Sequence, residues 1–447
     1  MDFAPHTPAD DRAMLEAIGV DGIDALFDSI PAEVRFGGAL DVPPALDEIG
    51  LLDHLAELAG RSSGARDLVC FAGGGAYDHH LPPVVKALAG RAEFSTSYTP
   101  YQPELSQGVL QAIFEFQTLL CELFGLEVAN ASLYDGANAV VEATTLAMRT
   151  TRRSRVLIGA TVHPHYRQVL KTYTSGLDIS IEEVPFGDDG AVDWAAIDAT
   201  DAAAVIVGYP NFFGRVEDLD VAAERVHAAG GLAVAVTDPT AMGVLASPGS
   251  LGADVAVGEG QGLGNPLSYG GPYVGLFATK LEFVRQVPGR IAGETVDSDG
   301  RRAYVLTLQA REQHIRRAKA TSNVCTNQTL MAIFASVYLS WLGPTGLQRL
   351  GELCTRRTGL AAQRLAEAPG CRVRFDGPRF KEIVLETPVD AGRLQRALAA
   401  RGYLVGPALG NLYPGLDNCL MIAVTERRTS EHIAGLAEAL EKELAEQ

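Results

Sequence analysis

From residue 128 to residue 278 the chain repeats one pattern, a short apolar run rich in β-branched residues followed by a stretch with apolar residues at helical spacing. The strand-like runs are 156–158, 179–184, 204–207, 233–236, 255–257 and 274–277, and residues 136–148, 164–173 and 219–229 read as helices between them. Strands this apolar are buried on both faces, and their alternation with helices predicts an α/β fold built on a mostly parallel, doubly wound sheet. Ligands bind such a sheet at the carboxyl ends of its strands.

The flanks read differently. Thr7 as N-cap, Pro8 at the first helical position and Asp10 in the first turn open a helix that Gly19 stops. Short helices follow near 21–27 and 44–59, so residues 1–90 are expected to form a helical arm. A long helix, 109–124, leads into the large domain, 91–325. Beyond it a helix at 330–341 is broken by Gly343-Pro344, a second runs over 347–367, and strands at 371–375, 382–386 and 419–424 alternate with helices at 391–401 and 430–444. Residues 326–447 are thus expected to form a small C-terminal α/β domain.

Net charge of −18 sets the overall field against nucleic acid and anionic membrane, and no basic tract offsets it. The six cysteines are scattered without CxxC or metal-ligand spacing, which predicts reduced thiols and no metal. Residues 320–348 carry no charge, but the apolar part, 330–342, is short of the roughly 20 residues a span requires and reads as a buried helix. With no apolar leader at the N-terminus, the expected location is cytoplasmic. Only six of 37 basic residues are lysines: Lys86, Lys171, Lys280, Lys319, Lys381 and Lys442.

Several stretches invite a ligand, each with a structural alternative. Gly73-Gly74-Gly75 permits close backbone approach, or simply a tight bend before the Pro82-Pro83 helix. His79 and His80 are adjacent and would not face one metal. Residues 94–107 are stiffened by Pro100 and Pro103 and present Tyr98, Tyr101 and Gln102 to a ligand or another subunit, or form an ordinary loop. Ser132 precedes a helix where a phosphate could dock, His163 follows a strand where a ring could stack, and Asp238 closes a strand where a carboxylate could pair with a protonated ring nitrogen. Asp135, as the cap of that helix, argues against a phosphate there. Finally, an almost uncharged loop with six glycines from Gly258 to Gly271 carries Gln261 near its head.

The stretches PHTPADDRAMLEAIGVDGIDALF, FAGGGAYDHHLPPVV, YTPYQPELSQG, ANASLYDGANA, PNFFG, GEGQGLGNPLSYGGPYVGLFATK and RIAGETVDSDGRRAYVLTLQAREQHIRRAKATSNVCTNQTL, together with the C-terminal domain, cover nearly the whole chain. They closely resemble the glycine decarboxylase P-protein family, in its two-chain form the alpha chains. The resemblance implies a type I pyridoxal-phosphate-dependent transferase-like fold and an α2β2 assembly that decarboxylates glycine and passes the aminomethyl group to the lipoyl arm of H-protein. It also implies that the Schiff-base lysine belongs to the beta chain. Gln261 stands in its place here, and an amide nitrogen forms no Schiff base because its lone pair is delocalised. The other lysines fall on helices, in turns or on the wrong strand, Lys381 among them in a turn. Pyridoxal phosphate is accordingly expected on the beta subunit, with Ser132, His163, Asp238 and Gln261 marking a vestigial pocket here. Tyr98, Tyr101, Gln102, Thr321, Ser322 and Asn323 are expected to wall the partner's site. A purely structural or regulatory partner is the alternative, and an independent enzyme anchored on an unexpected lysine is a third possibility. A nucleotide-binding dehydrogenase is disfavoured, since no G-x-G-x-x-G joins the first core strand to its helix.

Overall fold

A computed structural model describes residues 5–64, 67–96 and 98–446, so Ser97 of the proline-stiffened stretch lies outside the described residues. The chain divides into two units, Met1–Ser63 and Gly64–Gln447. In the first, Thr7 and Asp10 close a reciprocal capping box over the helix Pro8–Ile18, and Gly19, at φ 83°, ends it. A second helix, Glu48–Gly60, starts later than expected because Asp47 supplies its cap, accepting from Gly50 N at 2.7 Å. Neither helix buries a residue, and Ile18, Phe27, Phe36, Leu40, Ile49 and Leu52 stand exposed. Local caps, not a core, define this unit.

The second unit is built on a seven-stranded sheet. Its order is Val128–Ala129, Gly275–Thr279, Val255–Glu259, Leu232–Thr237, Ala202–Tyr209, Arg155–Gly159 and Ser180–Val184. The last five are mutually parallel, whereas Gly275–Thr279 runs antiparallel to both its neighbours. The expectation of a mostly parallel sheet holds because the central strands are apolar on both faces: all eight residues of Ala202–Tyr209 are buried. One face packs on the helix Gly136–Thr151 through Val140 and Leu146, the other on Leu219–Ala228 and Trp194.

The uncharged stretch forms the first part of one long helix, Thr329–Ala366. Met331 to Ala335 and Tyr338 are buried against Phe116 and Leu120 of the helix Gln107–Phe124. Gly343, at φ 60° and ψ 179°, breaks the helix ahead of Pro344 as the sequence predicts. The C-terminal region carries an antiparallel sheet of Arg372–Val373, Glu382–Glu386 and Cys419–Ala423, covered by Ala391–Ala400 and Ser430–Ala445. Val69–Ala72 pairs in parallel with Tyr403–Gly406, so the boundary expected at residue 90 falls inside this second unit. The hairpin of Ile291–Val296 and Arg302–Thr307 had no counterpart among the expected strands. Toward either end of the proline-stiffened stretch, Ala92–Ser95 makes one α-helical turn and Pro103–Leu105 a 3-10 turn.

Candidate functional site

The carboxyl ends of Arg155–Gly159, Ala202–Tyr209, Leu232–Thr237 and Val255–Glu259 converge on a cavity of about 70 Å³ lined by Tyr77, His163, Tyr166, Phe212, Asp238, Glu259 and Glu382. That is far below the roughly 300 Å³ at which small-molecule pockets begin. Three of the side chains that line the space left are acidic: Asp238, Glu259 and Glu382.

Lys381 is central to this. It sits just before the strand Glu382–Glu386, at φ 62°, and is only 1 % exposed. Its Nζ lies 2.5 Å from Asp238 Oδ2, 3.3 Å from Thr240 Oγ1 and 3.2 Å from His79 Nε2, and stands 3.4 Å above the centre of the Tyr77 ring. Burial would raise Asp238, yet the ammonium beside it holds its carboxyl below the usual range. His79 Nδ1 donates to Glu426 Oε2 at 2.6 Å; burial opposes ionisation of Glu426, but His79 and the His80 amide bring it down to about 2. His79, Cys354 and Glu426 cluster closely enough to suggest a metal, but the ammonium on the other side of His79 repels a cation.

The triple-glycine loop does cradle a carboxylate, and it is an internal one. Gly74 N donates to Glu382 Oε1 at 2.7 Å and the Tyr77 hydroxyl donates to Glu382 Oε2 at 3.0 Å. A Cβ at Gly73 would collide with Glu382 and Ala423, which is why this position needs glycine. Burial pushes Glu382 up to about 7.

At the head of the Gly136–Thr151 helix, where Ser132 suggests room for a phosphate, two acidic side chains already stand. Asp135 caps it, accepting from Asn138 N at 2.8 Å. Glu259 accepts from Gly136 N, Gln261 N and Val274 N, each at 3.0 Å, and burial pushes it up to about 8 in spite of those three donors.

Gln261 itself is 2 % exposed and fully engaged. Its Oε1 accepts from Tyr77 N at 2.8 Å, and its Nε2 donates to Tyr77 O at 3.2 Å and Asn265 O at 2.9 Å. The side-chain amide thereby pairs with the Tyr77 backbone much as a neighbouring strand would, tying the glycine-rich loop to the 73–77 loop. His163 donates through Nε2 to Gly74 O at 2.7 Å and stacks on Tyr166 with ring centres 4.5 Å apart; burial lowers it to about 4, so it is neutral at physiological pH.

The residues singled out in the sequence therefore separate into two groups. His163 and Asp238 line the cavity and Gln261 is buried beside it. Ser132 does not: held at φ 106°, it accepts through Oγ from Asn327 Nδ2 at 3.2 Å and Gln328 N at 3.1 Å, and so buttresses the loop that follows Asn323. Near that loop lie the residues expected to wall a partner's site. Tyr98 and Tyr101 are 74 % and 66 % exposed, and Gln102 and Asn323 are exposed as well. Thr321 donates to Arg311 O, while Ser322 turns inward, its hydroxyl donating to the buried Glu142 at 2.8 Å. What the sequence did not flag is Glu259 and Glu382 as lining residues, and Lys381 as the buried cation paired with the lining Asp238. The available signals were a lysine next to Phe380 at the start of an apolar strand, and an acid between two glycines at a strand end.

The chain matches the family described as glycine cleavage system P-protein over residues 1–440. It is 50% identical over 443 residues to the probable glycine dehydrogenase (decarboxylating) subunit 1 of Desulforamulus reducens, covering 98% of this chain and 99% of that one. A likeness of 49% extends over the full length of the protein so named in Moorella thermoacetica. Among solved structures, an inhibitor-bound glycine decarboxylase (P-protein) of the glycine cleavage system superposes with a TM-score of 0.91 at 45% identity, covering 99% of this chain and 100% of that one. A glutamate decarboxylase of Lactobacillus brevis, at 13% identity and a TM-score of 0.69, shares the fold alone. With the fold that of the type I pyridoxal-phosphate enzymes, the chain belongs to the glycine cleavage system P-protein family, among the subunit 1 chains of its two-subunit glycine dehydrogenase (decarboxylating).

Proposed function

We propose that this chain is the non-anchoring alpha half of a cytoplasmic α2β2 glycine decarboxylase, and that it completes the active site of a beta subunit that holds pyridoxal phosphate covalently. The assembled enzyme decarboxylates glycine and transfers the aminomethyl group to the lipoamide of H-protein, with the cofactor supplying the electron sink.

The observation that carries this is the pocket filled from within. Pyridoxal phosphate does not fit the residues present: Gln261 replaces the lysine and is spent on the Tyr77 backbone. Lys381 neutralises Asp238, the carboxylate that a pyridinium nitrogen would seek. Glu259 takes the free N–H of Gly136 at the helix head and occupies the place of a phosphate with an acceptor of its own. No chemical step is assigned to this pocket.

The chain's contribution is instead placed at the exposed edge formed by Tyr98, Tyr101 and Gln102 with Thr321, Ser322 and Asn323. There the side chains still accessible, Tyr98, Tyr101, Gln102 and Asn323, are available to a neighbour, and Ser322 serves by holding the turn against Glu142. The test is to record the cofactor absorbance of this chain, of the beta chain and of their mixture with added pyridoxal phosphate, alongside glycine-dependent CO2 exchange with H-protein. Absorbance that requires beta and exchange that appears only in the mixture are expected. A borohydride-trappable cofactor on the isolated chain would overturn the proposal.

A further inference from the structure

Arg290 has an unusual environment for a buried cation. It is 4 % exposed, yet none of the described carboxylates forms a salt bridge with it. Its guanidinium donates only to neutral acceptors. Nη1 reaches Thr99 Oγ1 at 3.4 Å and Thr326 Oγ1 and Asn327 Oδ1 at 3.3 Å, while Nη2 reaches the Tyr101 hydroxyl at 3.2 Å and Cys325 O at 2.7 Å. One planar fork thus ties together two segments far apart in sequence, 99–101, within the edge proposed to face the partner, and 325–327, which follows directly on its Thr321–Asn323 part.

The Tyr101 ring also lies on this cation, its centre 5.3 Å from the guanidinium carbon, while remaining 66 % exposed. Because its oxygen accepts from Arg290, the hydroxyl proton of Tyr101 is left to point elsewhere, toward solvent in the isolated chain. A buried charge that lacks a counter-charge is costly, and a cation directly behind a hydroxyl strengthens it as a donor. Both effects favour an anionic acceptor arriving from outside.

We infer that Arg290 is a positioning residue that sets Tyr101 as an outward hydrogen-bond donor to an anionic oxygen, carboxylate or phosphate, in the partner subunit's site. This rests on the proposal that the chain completes that site. The substrate carboxylate and the cofactor phosphate share this chemistry and are separated by which constant changes.

The experiment uses the assembled two-subunit enzyme carrying Tyr101→Phe, Arg290→Met, Arg290→Lys, Tyr101→Phe with Arg290→Met, and Tyr101→Ala, with assembly verified by sedimentation. For each, the KM for glycine and the Kd for pyridoxal phosphate are measured separately. Tyr101→Phe is expected to weaken one of the two about tenfold, as loss of a hydrogen bond to a charged group does. Arg290→Met should weaken the same constant, the double variant should fall no more than about twofold below the worse single one, and Arg290→Lys, which keeps charge without the fork, should lie between wild type and Arg290→Met. A change in KM identifies a carboxylate acceptor, and a change in Kd a phosphate. Losses that multiply in the double variant, or a Tyr101→Phe enzyme with both constants unaltered, overturn the inference; if Arg290→Met does not assemble, Tyr101→Phe and Arg290→Lys decide it. Should Tyr101→Ala still lower turnover in that case, the shared site stands without Arg290; if Tyr101→Ala is also silent, the shared-site proposal itself fails.

Discussion

Replacing Lys381 by methionine keeps the stem of the side chain but removes the ammonium that joins Asp238, Thr240, His79 and the Tyr77 ring. Breaking a buried ion pair by deleting one partner costs about 3–5 kcal/mol, most of it the penalty of leaving the other charge unpaired. Lys381 is 1 % exposed and the Asp238 side chain 15 %, so solvent gives Asp238 little relief. Urea unfolding of the purified chain, followed by circular dichroism, should show that loss as a lower midpoint with unchanged slope. Adding Asp238→Asn removes the orphaned charge, and the double variant should recover at least about 2 kcal/mol over Lys381→Met alone. The pH dependence has a definite sign. Asp238 is held below its ordinary value, so its pairing stabilises the fold above the unfolded-state pKa of about 3.9 and is lost as pH falls through the lower folded value. The gap between wild type and Lys381→Met should therefore narrow in acid. A loss below about 1 kcal/mol, or a double variant as unstable as the summed singles, would refute the view that Lys381 and Asp238 act as a coupled buried ion pair.

Gln261→Lys alone should not create a cofactor site: with Lys381 on Asp238 and Glu259 at the helix head, added pyridoxal phosphate is expected to give no borohydride-trappable product, and its appearance would contradict the fit argued here. Glu382, pushed up to about 7 by burial, keeps its proton in the folded chain while the unfolded chain has lost it, so its own contribution to stability, read as wild type minus Glu382→Gln, should decline between about pH 4.5 and 7 by up to about 3 kcal/mol. Equal slopes in the two urea series would count against it. Gly343→Ala places a Cβ at φ 60° and ψ 179°, a region nearly restricted to glycine, and should cost about 1–3 kcal/mol by the same measurement.

How far the sequence could be read depended on the range of the physics involved. The sheet strands and the helix Gly136–Thr151 were legible because apolar periodicity is local, and Thr7, Asp10 and Gly19 spelled out a capped helix within one short stretch. Glu48–Gly60 began later than expected because Asp47, not the prolines, sets its start. Val69–Ala72 was missed since its partner, Tyr403–Gly406, is more than three hundred residues away and neither is long enough to declare itself. At the site, His163, Asp238 and Gln261 could be placed because each ends or follows a strand, where α/β folds expose ligand positions. Ser132 sits at such an end too, yet its strained backbone turns it to Asn327 and Gln328, which no local pattern reveals.

Lys381 illustrates the limit most clearly. Its position in a turn was correctly read, but a turn is normally exposed, and exposure is what makes a lysine uninteresting. What buries it is the convergence of Asp238 from one segment with Tyr77 and His79 from another. Lys381, through Asp238, also bears on why the space near Gln261 is so small. Asp238, the helix head at Gly136 and the glycine loop at Gly74 are groups that must be satisfied once they are buried. Each is met by a side chain of opposite or complementary character: Lys381, Glu259 and Glu382 respectively. Restoring a cofactor site would then require three partners to be withdrawn as well as one lysine to be supplied. That is a stronger barrier to binding than Gln261 alone, and under the proposal made above it is the exposed edge around Tyr101 that acts on a neighbour.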